Sequence, residues 1–164
     1  MNRLLLALVS VAHFLPHPAG VSPIGAMAVY AGANGPRYTA WLVPLLPLFV
    51  SHLVFGFYEP VVLVSVYLGF ALCTVVARLG LRRTRTLTRF GGTIAVQAVV
   101  FFLVSNFGNW LAFWQPWTAA GLLQCYINGL PYLGIAMLAD AAYCFVLFGL
   151  HDAIARRQPE PVVT

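Results

Sequence analysis

Long apolar runs alternate with short polar breaks along this chain, and its basic residues can all be placed on one side of those runs. The nine Lys/Arg residues are all arginine: Arg3, Arg37, Arg78, Arg82, Arg83, Arg85, Arg89, Arg156 and Arg157. Cytoplasmic loops of membrane proteins carry an excess of Lys/Arg. With Arg3 placed inside, successive crossings bring every other arginine back inside and leave none outside. A soluble domain of this length has no way to cover the apolar runs. The pattern therefore predicts a multi-pass protein of the bacterial inner (cytoplasmic) membrane, embedded in the lipid bilayer, with both termini cytoplasmic.

A spanning helix needs about 20 mostly apolar residues. Residues 38–57, 60–80 and 92–113 meet this easily, and residues 131–155 form a further run opened by Pro131, as at a helix start. Two shorter runs, 2–14 and 22–34, precede them, separated by a loop over 15–20. Each is short for a full span, so the pair either crosses twice or dips in and returns. The expected architecture is an all-α bundle of six transmembrane helices within a single domain, residues 1–157. Residues 118–129 read as an interfacial helix over the outer mouth, and 158–164 as a disordered tail. The N-terminal run resembles a signal peptide, but no small-residue cleavage site with a polar continuation follows, so a retained first helix is expected.

Composition excludes several function classes. Hydrophobic residues make up 61% and charged residues 8% of the 164, against roughly 25% charged in an ordinary soluble domain. The net charge of +5 comes from loop arginines without an aromatic-interleaved basic surface, so no nucleic-acid partner is expected. Cys73, Cys125 and Cys144 lack CxxC spacing, which argues against a disulfide framework or a metal site. No Walker A sequence, GxSxG, HExxH or phosphate-binding glycine loop is present, so neither an enzyme nor a cofactor is expected.

Polar groups within apolar runs are costly, and an aspartate at a helix centre costs about 2.5–3.5 kcal/mol on insertion scales. Asp140 is such a residue, flanked by Leu138, Ala139, Ala141 and Ala142. Counting along the helices places His52, Asn106 and Asp140 at similar depth in the outer half, with Asn109 one turn above Asn106. Their convergence would make a solute site open to the outside, with Trp110 as a stacking face and Gln124 at its mouth. The plainer alternative is that these groups fasten helices together by hydrogen bonds. The segments carrying His13 and His17, and Trp114 and Trp117, would form a lid. A metal pair of His13 and His17 is disfavoured, because Pro16 and Pro18 break the helix that would align them. Gly25, Ala28 and Gly32 form a smooth stripe suited to close helix approach, either inside the bundle or against a partner subunit.

Several segments carry a resemblance to a known family: Leu15-Pro16-His17-Pro18 with Ser22-Pro23-Ile24-Gly25-Ala26-Met27-Ala28, Leu42-Val43-Pro44-Leu45-Leu46, Gly56-Phe57-Tyr58, Ser105-Asn106-Phe107-Gly108, Gly121-Leu122-Leu123-Gln124-Cys125-Tyr126, Ala139-Asp140 and Leu147-Phe148-Gly149. Together they resemble the DUF6580 family of candidate transport proteins. That family is similar in pattern to the substrate-binding S-components of energy-coupling-factor (ECF) vitamin transporters. The resemblance implies an S-component-like bundle that captures a small, vitamin-like solute for uptake. It also implies an ECF-type transmembrane subunit and two ATPases as partners. This chain departs from the pattern at Ser51-His52, where an imidazole replaces a carboxylate. An ion-coupled solitary transporter and a non-transporting membrane scaffold are the competing expectations.

Overall fold

The computed structural model describes residues 3–16, 18 and 20–156. Those residues form six helices and no strand: α1 (Arg3–His13), α2 (Ile24–Asn34), α3 (Leu42–Phe55), α4 (Pro60–Leu81), α5 (Leu87–Phe113) and α6 (Ala119–Arg156). Three of them, α4, α5 and α6, are long and apolar enough to cross a membrane. Their outer faces fit that solvent. On α4, Val61, Val64, Leu68, Leu72, Val75 and Leu79 are exposed at three- and four-residue spacing, a continuous apolar stripe that in water would be a liability. The chain is thus an all-helical membrane protein.

Local chemistry sets the helix ends. Glu59 accepts a hydrogen bond from the Val62 amide at 3.0 Å ahead of Pro60, so α4 starts with an N-cap and a proline where the missing N–H does no harm. Thr86 caps α5 through the Arg89 amide, which starts this helix five residues before the expected 92. Helix α3 is shorter than the expected 38–57, because residues 36–41 are taken up by turns such as Ala40 N–H to Pro36 O. It ends at Gly56, whose φ of +96° suits a residue without a side chain.

The largest difference lies at residues 118–131. An interfacial helix over 118–129 and a separate helix from 131 are expected; instead α6 runs unbroken from Ala119 through Pro131 to Arg156. Thr118 Oγ1 accepts from the Gly121 amide, so the helix is capped there rather than at Pro131. Proline is tolerated within membrane helices where neighbours satisfy the freed carbonyl. Gly129, two residues earlier, seats against Asn106 and Phe102 of α5 and holds this stretch in place. At 1.5 Å per residue α6 is about 57 Å long, so it projects past a hydrocarbon layer of about 30 Å.

Helices α4 and α5 form an antiparallel hairpin closed by small residues. A Cβ on Gly69 would strike Phe101, one on Gly80 would strike Thr93, and one on Gly108 would strike Ser65. The centre of the molecule is α2, buried along its length from Ile24 to Ala33. It packs against all five other helices, and a helix covered on every side must be apolar all round. Gly25, Ala28 and Gly32 therefore lie inside the bundle. Gly32 abuts the Thr74 carbonyl and Ala77 of α4, and Ala28 has no exposed surface. The stripe is an internal packing surface, and the docking role expected for it is corrected accordingly.

With eleven residues, α2 is about 16 Å long, half the hydrocarbon thickness. A helix has unpaired N–H groups at its start and unpaired C=O groups at its end; α2 buries its start and half-buries its end. Its C-terminal end is met by arginines: Arg78 Nη2 donates to Gly35 O at 2.8 Å, and Arg85 Nη2 to Asn34 Oδ1 at 2.7 Å. Cations at a helix C-terminus are favoured by the macrodipole. The apolar core runs along α2 from Ile24 and Ala26 to this end, where Tyr30, Leu81, Ile94, Leu147 and Phe148 belong to it. Tyr30 packs edge-on to Phe148 and its hydroxyl meets His151 Nδ1 at 2.8 Å.

Candidate functional site

The N-terminal end of α2 is arranged differently. Pro23 stands at the N-cap position and provides no side-chain cap. Asp140, from the middle of α6, takes that role across the bundle. Its carboxyl group lies against the first turn of α2 at Gly25, beside the Ala26 backbone N–H, and accepts from Gln97 Nε2 of α5. A carboxylate here also suits the positive end of the helix dipole. Gly25 makes the approach possible, since a Cβ there would overlap both carboxylate oxygens. Asp140 is 7% exposed.

Above this carboxylate lies a cavity of about 410 Å³ between α2, α4, α5 and α6. Helix α5 lines it with Gln97, Phe101, Ser105 and Asn109, spaced by four, and with Ala98, Phe102 and Asn106 on the adjoining row. Helix α6 contributes Gly129, Tyr132, Leu133, Ala136 and Asp140, again at helical spacing. Val62 and Phe70 of α4 and Gly20, Ser22 and Gly25 around the start of α2 complete the wall. The walls are mostly apolar with a few convergent polar groups, as small-molecule sites are.

Three of the expected solute-binding residues meet here: Asp140, Asn106 and Asn109. Asn106 Nδ2 donates to Phe102 O at 2.8 Å, and Asn109 Nδ2 points to Cys125 Sγ at 3.8 Å. His52 does not join them, which corrects that part of the expectation. Helix α3 touches α1, α2 and α4 but neither α5 nor α6, so matched depth leaves His52 on the far side of α2. There Nδ1 lies 3.0 Å from the Tyr67 hydroxyl, in a shallow hollow of about 620 Å³ that His13 and Tyr58 also line. Among the described residues no three His, Cys, Asp or Glu side chains are grouped to hold a metal ion.

The remaining candidates are also displaced. Trp110 packs on Phe107 and faces Gly121 at the start of α6, outside the cavity wall, and its Nε1 is buried without a hydrogen-bond partner. Gln124 is exposed and donates to Asn128 Oδ1 at 2.8 Å. Trp114 lies beside Gly121, and Trp117 is exposed with Nε1 donating to Leu111 O; neither lines the cavity. His13 sits 3.3 Å from Ser22 Oγ, at the rim of the His52 hollow. His17, Arg157 and the tail 158–164 lie outside the described residues. Sequence reasoning missed Gln97, Phe101, Ser105 and Tyr132. The signal for the α5 set is the four-residue spacing of Gln97, Phe101, Ser105 and Asn109, which puts one glutamine, one serine and one asparagine on a single face.

No curated protein and no solved structure is recognisably similar to this chain. A family model described as a family of unknown function, DUF6580, matches residues 2–161. With nearly its whole length matched, the chain belongs to the DUF6580 family.

Proposed function

We propose that this protein binds a small organic solute within the membrane, as the recognition step of solute uptake. The observation that carries the reading is the cavity of about 410 Å³ where Asp140, Asn106 and Asn109 converge among apolar walls. A volume in this range suits a ligand of vitamin-like size. The helices alternate in direction, so the arginine-bearing ends of α4, α5 and α6 gather opposite the cavity. By the positive-inside rule the cavity then opens outward, with both termini cytoplasmic in a bacterial inner membrane. In this arrangement α1, α2 and α3 complete a six-helix, S-component-like bundle around the three long helices. The protein supplies recognition rather than chemistry.

Coupling to an ECF-type transmembrane subunit and its ATPases would have to use a surface other than the Gly25/Ala28/Gly32 stripe, which is buried. The scaffold alternative loses its named surface for the same reason. The test is native mass spectrometry of gently purified protein, comparing wild type with Ala136→Trp, which plugs the cavity from α6. A small molecule retained by wild type and missing from the variant is expected. The same molecule in both, or none in wild type even after incubation with a vitamin mixture, contradicts the reading.

A further inference from the structure

We propose that the solute is a small organic cation, an ammonium or related donor-rich group carried on an apolar, aromatic-sized body. This deepens the reading of the cavity as a solute site and rests on it. The first argument is charge. Among the described residues that line the cavity, Asp140 is the one ionisable acid or base apart from the Tyr132 phenol. The start of α2 would otherwise attract an anion, but the Asp140 carboxyl group already occupies that position, held by Gln97 and packed against Gly25. An anionic solute entering the cavity would meet the Asp140 carboxyl group and, among the described lining residues, no compensating cation.

The second argument is hydrogen-bond polarity. Gln97 Nε2 is turned onto Asp140, Asn106 Nδ2 onto Phe102 O, and Asn109 Nδ2 onto Cys125 Sγ. Ser105 Oγ gives its only proton to Phe101 O at 2.8 Å. One N–H of each amide and the Ser105 proton are thus directed into the protein; each amide keeps one further N–H, and the lone pairs of the amide, hydroxyl and carboxyl oxygens outnumber those donors. A carboxylate has about four lone-pair sites, of which Gln97 uses one. The cavity is acceptor-rich, so it complements a donor-rich ligand. The third argument is the wall. Phe70 and Phe101 stack with ring centroids 4.4 Å apart, and Phe102 and Tyr132 face the same space. Aromatic faces attract cations through their quadrupole as well as covering an apolar body.

The test compares three probes of one shape and three charges: 2-phenylethylammonium, 2-phenylethanol and phenylacetate. Binding is titrated on the full chain in detergent and in lipid nanodiscs, by thermal shift and tryptophan fluorescence. The ammonium should bind about tenfold more tightly than the alcohol, the scale of one charge-assisted hydrogen bond, and phenylacetate should bind most weakly. Asn109→Asp should widen the preference for the ammonium over the alcohol, and it avoids altering Asp140, which also holds α2. Ala136→Trp should remove saturable binding of every probe. Alcohol or phenylacetate binding as tightly as the ammonium, with Ala136→Trp still abolishing it, overturns the charge class and leaves the solute site standing. Absence of saturable binding for all three probes, or binding indifferent to Ala136→Trp, overturns both.

Discussion

At the arginine end of the bundle, Tyr30, Leu81, Leu147 and Phe148 fill the space between helices, whereas at the opposite end of α2 the same helices enclose about 410 Å³. The start of α2 is buried and its end half-buried, and each is met by ionisable side chains from elsewhere in the chain. Arg78 and Arg85 close the solid end, and Asp140 closes the hollow one. The difference is in what lies beyond the cap. Beyond the arginines the chain leaves the bundle, so nothing is gained by leaving space. Beyond Asp140 the half-length α2 stops, and α4, α5 and α6 continue past it. The cavity is the volume a full-length central helix would have filled.

The comparison can be broken from the solid end first. Gly32→Leu should abolish the folded protein, because the new side chain meets the Thr74 carbonyl and Ala77 rather than a movable group. Loss of the monodisperse peak in size-exclusion chromatography would show it. Next in size is Asp140→Ala, which strands the Gln97 side chain in a buried site at the start of α2. Leaving a buried neutral donor unsatisfied costs about 1–3 kcal/mol. Asp140→Asn keeps an acceptor oxygen and should lose well under half of that. Cys73, Cys125 and Cys144 are buried and free, so the melting of each variant can be followed with a thiol-reactive fluorophore.

A matched pair of enlargements sharpens the contrast further. Ala77→Leu in the solid half should destabilise by about 1–3 kcal/mol, the usual result of overpacking. Ala136→Leu faces the cavity and should change stability by less than about 1 kcal/mol. Equal losses would mean that the two halves are packed alike. The smallest expected effect is Arg85→Gln, which removes a cation from the α2 C-terminus and from the Phe148 ring, 5.4 Å away. It should cost no more than about 1 kcal/mol in the same melting measurement.

How much of this was legible in the sequence depended on the geometry each step needed. Apolar run length and the arginine gaps are one-dimensional signals, and they located the long helices α4 and α5 to within a few residues. Depth is also one-dimensional, and it grouped Asp140 with Asn106 correctly. Azimuth is not, because it depends on which helices lie between. His52 shares that depth, yet α3 packs on the opposite side of α2. Pro131 misled for a related reason: a proline reads as a boundary in the chain, while the seat of Gly129 on Asn106 that carries α6 through it is tertiary. The glycine stripe showed that something packs closely on α2, but not that its partners were Thr74, Ala77 and Asp140 of the same chain.

The most direct test of the hollow-and-solid account is single-cysteine labelling with a charged, membrane-impermeant thiol reagent in right-side-out vesicles. Wild type, whose three cysteines are buried, serves as the blank. Ala136→Cys and Asn109→Cys should be labelled from the side opposite the arginines, and Ala77→Cys should stay unlabelled. Labelling of Ala77→Cys at the same rate, or protection of both Ala136→Cys and Asn109→Cys, would contradict an outward-facing cavity above Asp140.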